Sequence, residues 1–178
     1  MTTEVMVDLE TLGTGPRAPI LSIGAVKFNP HSDWVGPSFH VGVDISTGLF
    51  DREVDGGTLM WWLAEDRAAA RKAWLDLEKH DLVTALDGFV EWFGGESLPV
   101  WGNGATFDNV ILTTAFDTIG SVPPWKFWHD RCYRTMKNLV DIPMTRFGTH
   151  HSAVDDAISQ AKHLQEIYTH FGLQQEAV

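Results

Sequence analysis

Two acidic residues close an otherwise apolar strand near the start of the chain. Residues 4–9 are predicted to form a short strand with Val5 and Val7 as apolar positions, and Asp8 and Glu10 stand two apart at its end. Because side chains alternate along a strand with a period of two, both carboxylates face the same side of the sheet. Burying two like charges together costs several kcal/mol unless a cation joins them. The pair predicts either a divalent-cation site or a strand whose end runs out into solvent.

A third carboxylate follows a second buried strand. Residues 98–101 are predicted to form this strand, Gly102 and Gly104 the turn after it, and Asp108 lies in the first turn of the next helix. Glycines at such a turn allow the backbone to approach another group closely. An acid in a first helical turn also complements the helix dipole. Taken alone, Asp108 therefore fits either a functional site or an ordinary helix start.

A histidine and a fourth carboxylate surround the start of the last predicted helix, which begins near Ser152. His151 precedes this helix, and Asp156 lies in its first turns. The positive end of the helix disfavours a charged imidazole, so His151 is expected to be neutral and able to accept a proton. Taken alone, the motif also fits an acidic helix start behind a surface histidine.

Together the three motifs supply four carboxylates and one base. Carboxylates are preferred ligands of hard divalent cations such as Mg²⁺ and Mn²⁺. Two such cations about 4 Å apart can activate a water molecule and stabilise the leaving oxygen of a phosphodiester, and a histidine can take the proton from that water. The combination predicts two-metal phosphodiester hydrolysis at a site formed by Asp8, Glu10, Asp108, His151 and Asp156.

The order of the predicted elements is that of an α/β domain with a mixed sheet. Strands are predicted at 4–9, 20–28, 39–43, 98–101 and 126–129, and helices at 58–74, 81–93, 106–119, 133–140 and from 152 onward. The helix at 81–93 has the clearest pattern, because Leu82, Leu86 and Phe89 recur at helical spacing before a pair of glycines ends it. The sequence predicts one domain over residues 1–178, with about five strands flanked by helices and a few flexible residues at the end.

Charge and cysteine content limit the possible functions. The formal net charge is −11, from 24 acidic and 13 basic residues, which argues against stable binding to nucleic acid through many phosphate contacts. It does not exclude an enzyme that holds a strand end, because bound cations reverse the charge of a catalytic pocket. The single cysteine, Cys132, cannot form an internal disulfide and agrees with a cytoplasmic location. No apolar run approaches the length of a membrane helix, and the acidic start does not resemble a signal peptide.

The chain resembles the DEDDh exonucleases, a superfamily that includes proofreading subunits and oligoribonucleases. The resemblance rests on Asp8-Leu9-Glu10-Thr11, on Asp108, and on the run from His151 to Asp156. More narrowly, the chain is similar to phage and prophage exonucleases of the exodeoxyribonuclease VIII-like type, through the stretches 6–28, 59–63 (LMWWL) and 101–112 (WGNGATFDNVIL) and the Arg134-Thr135 pair. The resemblance implies a ribonuclease-H-like fold, dependence on two divalent cations, Mg²⁺ or Mn²⁺, and removal of nucleotides from the 3′ end.

By position, the resemblance makes Asp8, Glu10, Asp108 and Asp156 the metal ligands and His151 the general base. The doubled histidine leaves an ambiguity, because His150 and Asp155 have the same spacing as His151 and Asp156. The family motif also carries an alanine two residues after its histidine. Only the frame of His151 places Ala153 there, so we expect His151 and Asp156 to be the site residues.

The resemblance also implies contacts with the terminal nucleotide and its strand. The residues expected to contact substrate are Thr11, Leu12, Trp61, Trp62, Asn109 and Arg134. Leu12 would act as a wedge against a base, and the tryptophans could offer a stacking face. One of two adjacent tryptophans on a helix normally packs into the core, however, and Arg134 fits a phosphate contact or an ordinary surface arginine equally well.

The expected partner is the 3′ end of single-stranded nucleic acid, with DNA favoured by the narrower resemblance and RNA as the alternative. Two other classes stay open. Asp8-Leu9-Glu10-Thr11 also looks like the nucleophile loop of haloacid-dehalogenase-like phosphatases, with Asp155 and Asp156 as their metal-binding acids, but that loop carries a second aspartate where this chain has Glu10. An inactive binding protein on the same fold is the other alternative, and the presence of all five site residues argues against it.

Overall fold

The computed structural model describes residues 2–48 and 51–173, and within them six strands form one mixed sheet. The strands are β1 (Glu4–Thr11), β2 (Ile20–Phe28), β3 (Val35–Val43), β4 (Lys79–His80), β5 (Val100–Gly102) and β6 (Asp130–Cys132). They lie in the order β4-β3-β2-β1-β5-β6. The first three pair as an antiparallel meander. β4 runs parallel to β3, β5 runs parallel to β1, and β6 runs parallel to β5.

Helices connect and cover these strands. They are α1 (Ile45–Gly48), α2 (Gly56–Leu63), α3 (Ala68–Asp76), α4 (Leu82–Phe93), α5 (Asp108–Thr118), α6 (Tyr133–Lys137) and α7 (Ala153–His170). Short 3₁₀ turns lie at Glu65–Arg67 and Phe127–His129. No helix in the described part of the chain is both long and apolar enough to cross a bilayer. The final residues, for which a flexible tail is predicted, lie outside the described ranges.

β1 separates two apolar cores, because its side chains alternate between the faces of the sheet. Val5 and Val7 pack on one face with the buried residues of α4 and α5. Met6 packs on the other face with the apolar side of α7. Asp8 and Glu10 continue the row of Met6, so both carboxylates face α7, as the period of two predicts.

Gly24 brings α7 against the sheet. It pairs with Asp8 in the β1–β2 ladder, and a Cβ at this position would stand 2.1 Å from the carbonyl carbon of Ala153 and 2.2 Å from the backbone nitrogen of Val154. These are backbone atoms at the start of α7, so no side-chain rotation could relieve the clash. The missing side chain therefore lets the helix that carries Asp156 reach the strand that carries Asp8.

The predicted fold class is confirmed, with six strands instead of about five. β3 begins at Val35 and not at residue 39, and β4 was missed because a two-residue strand has no alternation to detect. The strand predicted at 126–129 is wrong, since residues Phe127–His129 form a 3₁₀ turn and β6 follows directly after it. Its run of aromatic residues is typical of strands, but Phe127 and Trp128 are largely exposed.

Two predicted helices also differ from the structure. The helix predicted at 58–74 is interrupted at Ala64, which is extended with ψ 146°. The guanidinium of Arg71 donates to the carbonyl groups of Trp62 and Ala64 at this break, a compensation that residue spacing does not reveal. The helix predicted at 106–119 begins only at Asp108, with Phe107 at the N-cap position.

Gly24→Ala should strongly destabilise the protein and displace α7, because the added methyl group meets backbone on the helix. Overpacking a core costs about 1–3 kcal/mol, occasionally more, and we expect a loss at the upper end in urea unfolding monitored by tryptophan fluorescence.

The matched control for this substitution is Gly88→Ala in α4. A Cβ there would lie 3.7 Å from the ring of Phe39, an ordinary contact, so this variant should gain about 0.4–1 kcal/mol through a less flexible unfolded chain. A Gly24→Ala protein as stable as the wild type would contradict the close helix–sheet approach.

Candidate active site

A cavity of about 590 Å³ lies at the carboxyl end of β1. Its walls come from the end of β1, from α2, from α6 and the loop after it, and from the start of α7. The predicted site residues that line it are Asp8, Glu10, Thr11, Trp61, Trp62, His151 and Asp156. The structure therefore brings most of the predicted site residues to one place.

The four predicted carboxylates converge beside this cavity. One oxygen from each of Asp8, Glu10 and Asp156 lies within 4.8 Å of the others. Asp108 is 2% exposed, and its Oδ1 accepts the backbone N–H of Leu9 at 3.1 Å. Its Oδ2 is buried without a hydrogen-bond partner. A buried, unpaired carboxylate oxygen is costly, and these oxygen ligands fit hard divalent cations.

The convergence raises the pKa values of the acids. Burial, and then the charges of Asp108, Glu10 and Asp156, raise the pKa of Asp8 well above its usual range. Burial and the charges of Asp156 and Asp108 raise the pKa of Glu10 to about 8. Burial also raises the pKa of Asp108 to about 7, although backbone hydrogen bonds favour its charged form. Without a cation, the site holds protons that ordinary carboxylates lose well below neutral pH.

Two of these acids accept hydrogen bonds from side chains that were not among the predicted site residues. Gln160 donates from Nε2 to Oδ1 of Asp8 at 2.7 Å, and Arg146 donates from Nη1 to Oδ1 of Asp156 at 2.8 Å. Gln160 lies four residues after Asp156, on the same face of α7, so the helical period could have revealed it. Arg146 lies in the irregular segment before α7, where no spacing rule applies.

His151 lies beside Asp156. Its backbone N–H donates to Oδ2 of Asp156 at 2.9 Å, and its φ of 63° places it in the left-handed region. Its ring packs edge-on against Trp61, with ring centroids 4.8 Å apart. Burial and the charge of His150 lower the pKa of His151 to about 4. The imidazole is therefore neutral at pH 7, as the sequence predicts, and can accept a proton.

The structure places Asp156, and not Asp155, next to the other acids. Asp155 turns toward the loop before α7, where its Oδ2 accepts the backbone N–H of Thr149 at 2.8 Å. Ser152 occupies the N-cap position but forms no side-chain capping bond. This arrangement agrees with the frame of His151 and Asp156.

The two neighbouring tryptophans have different environments. Trp62 is 5% exposed, and its Nε1 donates to the carbonyl of Thr11 at 2.8 Å. Trp61 is half-buried, and the guanidinium of Arg67 lies 4.5 Å from its ring centroid. Both line the cavity, but Trp62 is fixed in the core, so Trp61 is the better placed to meet a ligand.

Leu12 and Asn109 do not line the cavity. Leu12 is buried and packs with Trp62. Asn109 is buried beside β5, where its Nδ2 donates to the carbonyl of Val100 at 3.0 Å and to Oδ1 of Asp130 at 2.8 Å. The structure does not bring either side chain to the place where the acids meet, and packing inside the fold accounts for both.

Arg134 also lies outside the cavity lining. Its guanidinium donates to the carbonyl of Asn103 and would lie 3.2 Å from a Cβ placed at Gly104. The basic side chains that line the cavity are instead Lys137 and Arg146. The structure therefore does not place Arg134 in the cavity lining, and its contact with a phosphate stays a prediction.

Solved structures with a similar fold include two of exonuclease I from E. coli. One, in complex with a dT13 oligonucleotide, has a TM-score of 0.66 and 14% identity, and the match covers 95% of this chain and 41% of that chain. Another, with a dA16 oligonucleotide, has a TM-score of 0.64 at the same identity and coverage. These matches identify the fold as ribonuclease-H-like. The chain spans about two fifths of the length of the exonuclease I chains.

The chain belongs to the family of 3′-5′ exoribonuclease Rv2179c-like domains, whose model matches residues 3–168. A curated relative, an exodeoxyribonuclease of Enterobacteria phage T4, is 20% identical in an alignment 158 residues long that covers 74% of this chain and 69% of the relative. The predicted superfamily of 3′→5′ exonucleases is therefore confirmed. The narrower resemblance to exodeoxyribonuclease VIII-like enzymes stays a prediction.

The raised carboxyl pKa values predict how stability depends on pH in the metal-free protein. In the folded chain Glu10 and Asp108 hold protons up to about pH 8 and pH 7, whereas their ordinary pKa values are 4.5 and 3.8. The folded state thus binds more protons than the unfolded state, so the free energy of unfolding should fall as pH rises from 6.5 to above 8. The lowered pKa of His151 acts in the opposite sense, but only below about 6.5.

Urea unfolding in EDTA at pH 6.5, 7.5 and 8.5 measures this dependence. Glu10→Gln should flatten the decline, because glutamine cannot ionise. Stability that is constant or rises over this interval in the wild type would contradict the repulsion among the buried acids.

Proposed function

We propose that this chain is a metal-dependent 3′→5′ exonuclease that acts on single-stranded nucleic acid, with DNA as the favoured substrate. The observation that carries the proposal is the convergence of Asp8, Glu10 and Asp156 beside the buried Asp108, at a cavity bordered by His151. Membership of a 3′→5′ exonuclease family supports the reaction and its direction. The same membership favours this function over a haloacid-dehalogenase-like phosphatase.

Asp8, Glu10, Asp108 and Asp156 would hold two divalent cations, Mg²⁺ or Mn²⁺. When bound, such cations activate water and stabilise the charge that develops on the leaving oxygen. Two features support the fit of these residues to cations. Oδ2 of Asp108 lacks a hydrogen-bond partner, and burial together with the charges of Asp156 and Asp108 raises the pKa of Glu10 to about 8.

His151 would take the proton from the attacking water. It is neutral at pH 7 because its pKa is lowered to about 4, and its backbone bond to Asp156 keeps it beside the acids. The edge-on contact with Trp61 restricts its ring. A base held in this way contributes typically about 10²–10⁴-fold to the rate.

Arg146 and Lys137 would bind the phosphates of the strand. The chain has a net charge of −11, so two positively charged side chains that line one cavity indicate a site for a negatively charged ligand. In its ion pair with Asp156, Arg146 occupies Oδ1 of the carboxylate, an oxygen that would bind a cation. When that carboxylate turns to a cation, the guanidinium becomes free, and its fork geometry suits phosphate oxygens. Trp61 would stack on a base of the same strand.

RNA 3′ ends are the second candidate substrate, because the family description names an exoribonuclease. DNA is favoured by the T4 relative, described as an exodeoxyribonuclease, and by the exonuclease I structures, which hold DNA oligonucleotides. Proteins distinguish the two sugars through contacts to the 2′-hydroxyl, so direct comparison of substrates is required.

The test is digestion of 5′-labelled single-stranded DNA, single-stranded RNA and duplexes in Mg²⁺ or Mn²⁺. Single-stranded DNA should shorten stepwise from its 3′ end at the highest rate, and a 3′-phosphate should block the reaction because the family acts from a free 3′ end. Faster digestion of RNA would assign the exoribonuclease activity. Shortening from the 5′ end would contradict the proposed direction.

Matched variants at neighbouring positions separate the site from its surroundings. Asp156→Asn and His151→Ala should each lower the rate by about 10²-fold or more, through loss of a metal ligand and of a base. Asp155→Asn should be mild, because an amide oxygen can still accept the N–H of Thr149. An inactive Asp155→Asn beside an active Asp156→Asn would show that the assigned frame is wrong by one residue.

A further inference from the structure

His150, His151 and Asp156 form a second group of possible metal ligands. One ring nitrogen of each histidine and one oxygen of Asp156 lie within 4.8 Å of one another. The two imidazole rings are stacked, with centroids 3.7 Å apart and an interplanar angle of 25°. His150 is exposed while Asp156 is buried, so an ion could reach this group directly from solvent.

The ligand chemistry of this group differs from that of the four acids. Mg²⁺ takes oxygen ligands, whereas two imidazoles and one carboxylate suit Zn²⁺, which binds three protein groups and leaves its fourth position open. Zn–N distances of about 2.0–2.1 Å place two nitrogens of a tetrahedral site about 3.3 Å apart. The ligand atoms now lie within 4.8 Å of one another, so they must approach by up to about 1.5 Å to reach this spacing. The stacked rings must also tilt so that both lone pairs point at the ion, and the exposed ring of His150 is the one with room to move.

The surroundings permit an additional cation. Arg146 and the backbone of His151 each donate to one oxygen of Asp156, but every carboxylate oxygen retains a second lone pair. The charges of Arg67 and Arg146 oppose a cation here, and those of Asp156 and the nearby Glu10 favour it. The contact of His151 with Trp61 holds one of the ligand rings in place.

We propose that His150, His151 and Asp156 form a zinc site that has only Asp156 in common with the acid site, and that Zn²⁺ bound there inhibits the nuclease. Inhibition follows because Zn²⁺ occupies the lone pair of His151 that would accept the proton and shares Asp156 with the acid site. The inhibitory effect rests on the proposed function, whereas zinc binding does not. Both neighbouring histidines then have a role, since each ring would donate one nitrogen to the zinc ion.

The inhibition is tested by measuring nuclease activity at saturating Mg²⁺ while Zn²⁺ is added in micromolar steps. The wild type should lose most of its activity. His150→Ala should keep most of its Mg²⁺-supported rate and need at least tenfold more Zn²⁺ for the same inhibition. His170→Ala, which removes an exposed histidine at the far end of α7, is the matched control and should behave as the wild type.

Visible absorption of the Co²⁺-substituted protein tests binding without any nuclease assay. A tetrahedral site with nitrogen ligands gives intense bands, whereas Co²⁺ at an octahedral oxygen site gives weak ones. Intense bands in the wild type that disappear in His150→Ala and on addition of Zn²⁺ would support the zinc site. If these bands were seen but no substrate were cleaved, only the proposed function would be rejected. Bands and zinc inhibition unchanged in His150→Ala would overturn the proposal, since zinc would then act at the acids alone.

Discussion

Repulsion among buried carboxylates is the constraint on which the rest of this structure depends. Asp8, Glu10 and Asp156 meet within 4.8 Å beside the buried Asp108, and like charges at such distances repel strongly where water is excluded. The metal-free fold lowers this cost with protons on the acids and with hydrogen bonds from Gln160 and Arg146. The protons, the amide N–H of Gln160 and the guanidinium of Arg146 each place positive or partly positive charge beside the acids, and a divalent cation would supply more of it.

The backbone forces the acids together in spite of that repulsion. Gly24 lets the start of α7 contact β2 directly, and the N–H of Leu9 joins the side chain of Asp108 to β1. Apolar cores on both faces of the sheet stabilise this arrangement, so hydrophobic burial offsets the electrostatic cost of the site. Proteins commonly hold a destabilised functional site within a well-packed scaffold in this way.

Most of the site could be predicted because it depends on short-range rules. The period of a strand predicts that Asp8 and Glu10 share a face, and the structure agrees. The position of Ala153 correctly indicates Asp156 over Asp155 as the partner of the other acids. The fold class also follows from the order of elements, although a two-residue strand such as β4 is too short to carry a pattern.

What could not be predicted depends on contacts between distant segments. The ion pair of Arg146 with Asp156 joins an irregular loop to a helix, and the clash that excludes a side chain at Gly24 involves a helix that begins 129 residues later, at Ala153. Leu12 follows a family position for substrate contact but packs inside this fold. Such differences arise because packing depends on the whole chain, whereas a motif describes only its neighbourhood.

Calorimetric titration of Mn²⁺ into the metal-free protein tests the central claim most directly, because it asks whether the converging acids exist to hold cations. Two ions should bind per chain. Binding should be lost or reduced by at least tenfold in Asp8→Ala, a variant that removes a repelling charge and should still fold. A wild-type protein that binds no Mn²⁺, or an Asp8→Ala variant that binds it as the wild type does, would contradict the account.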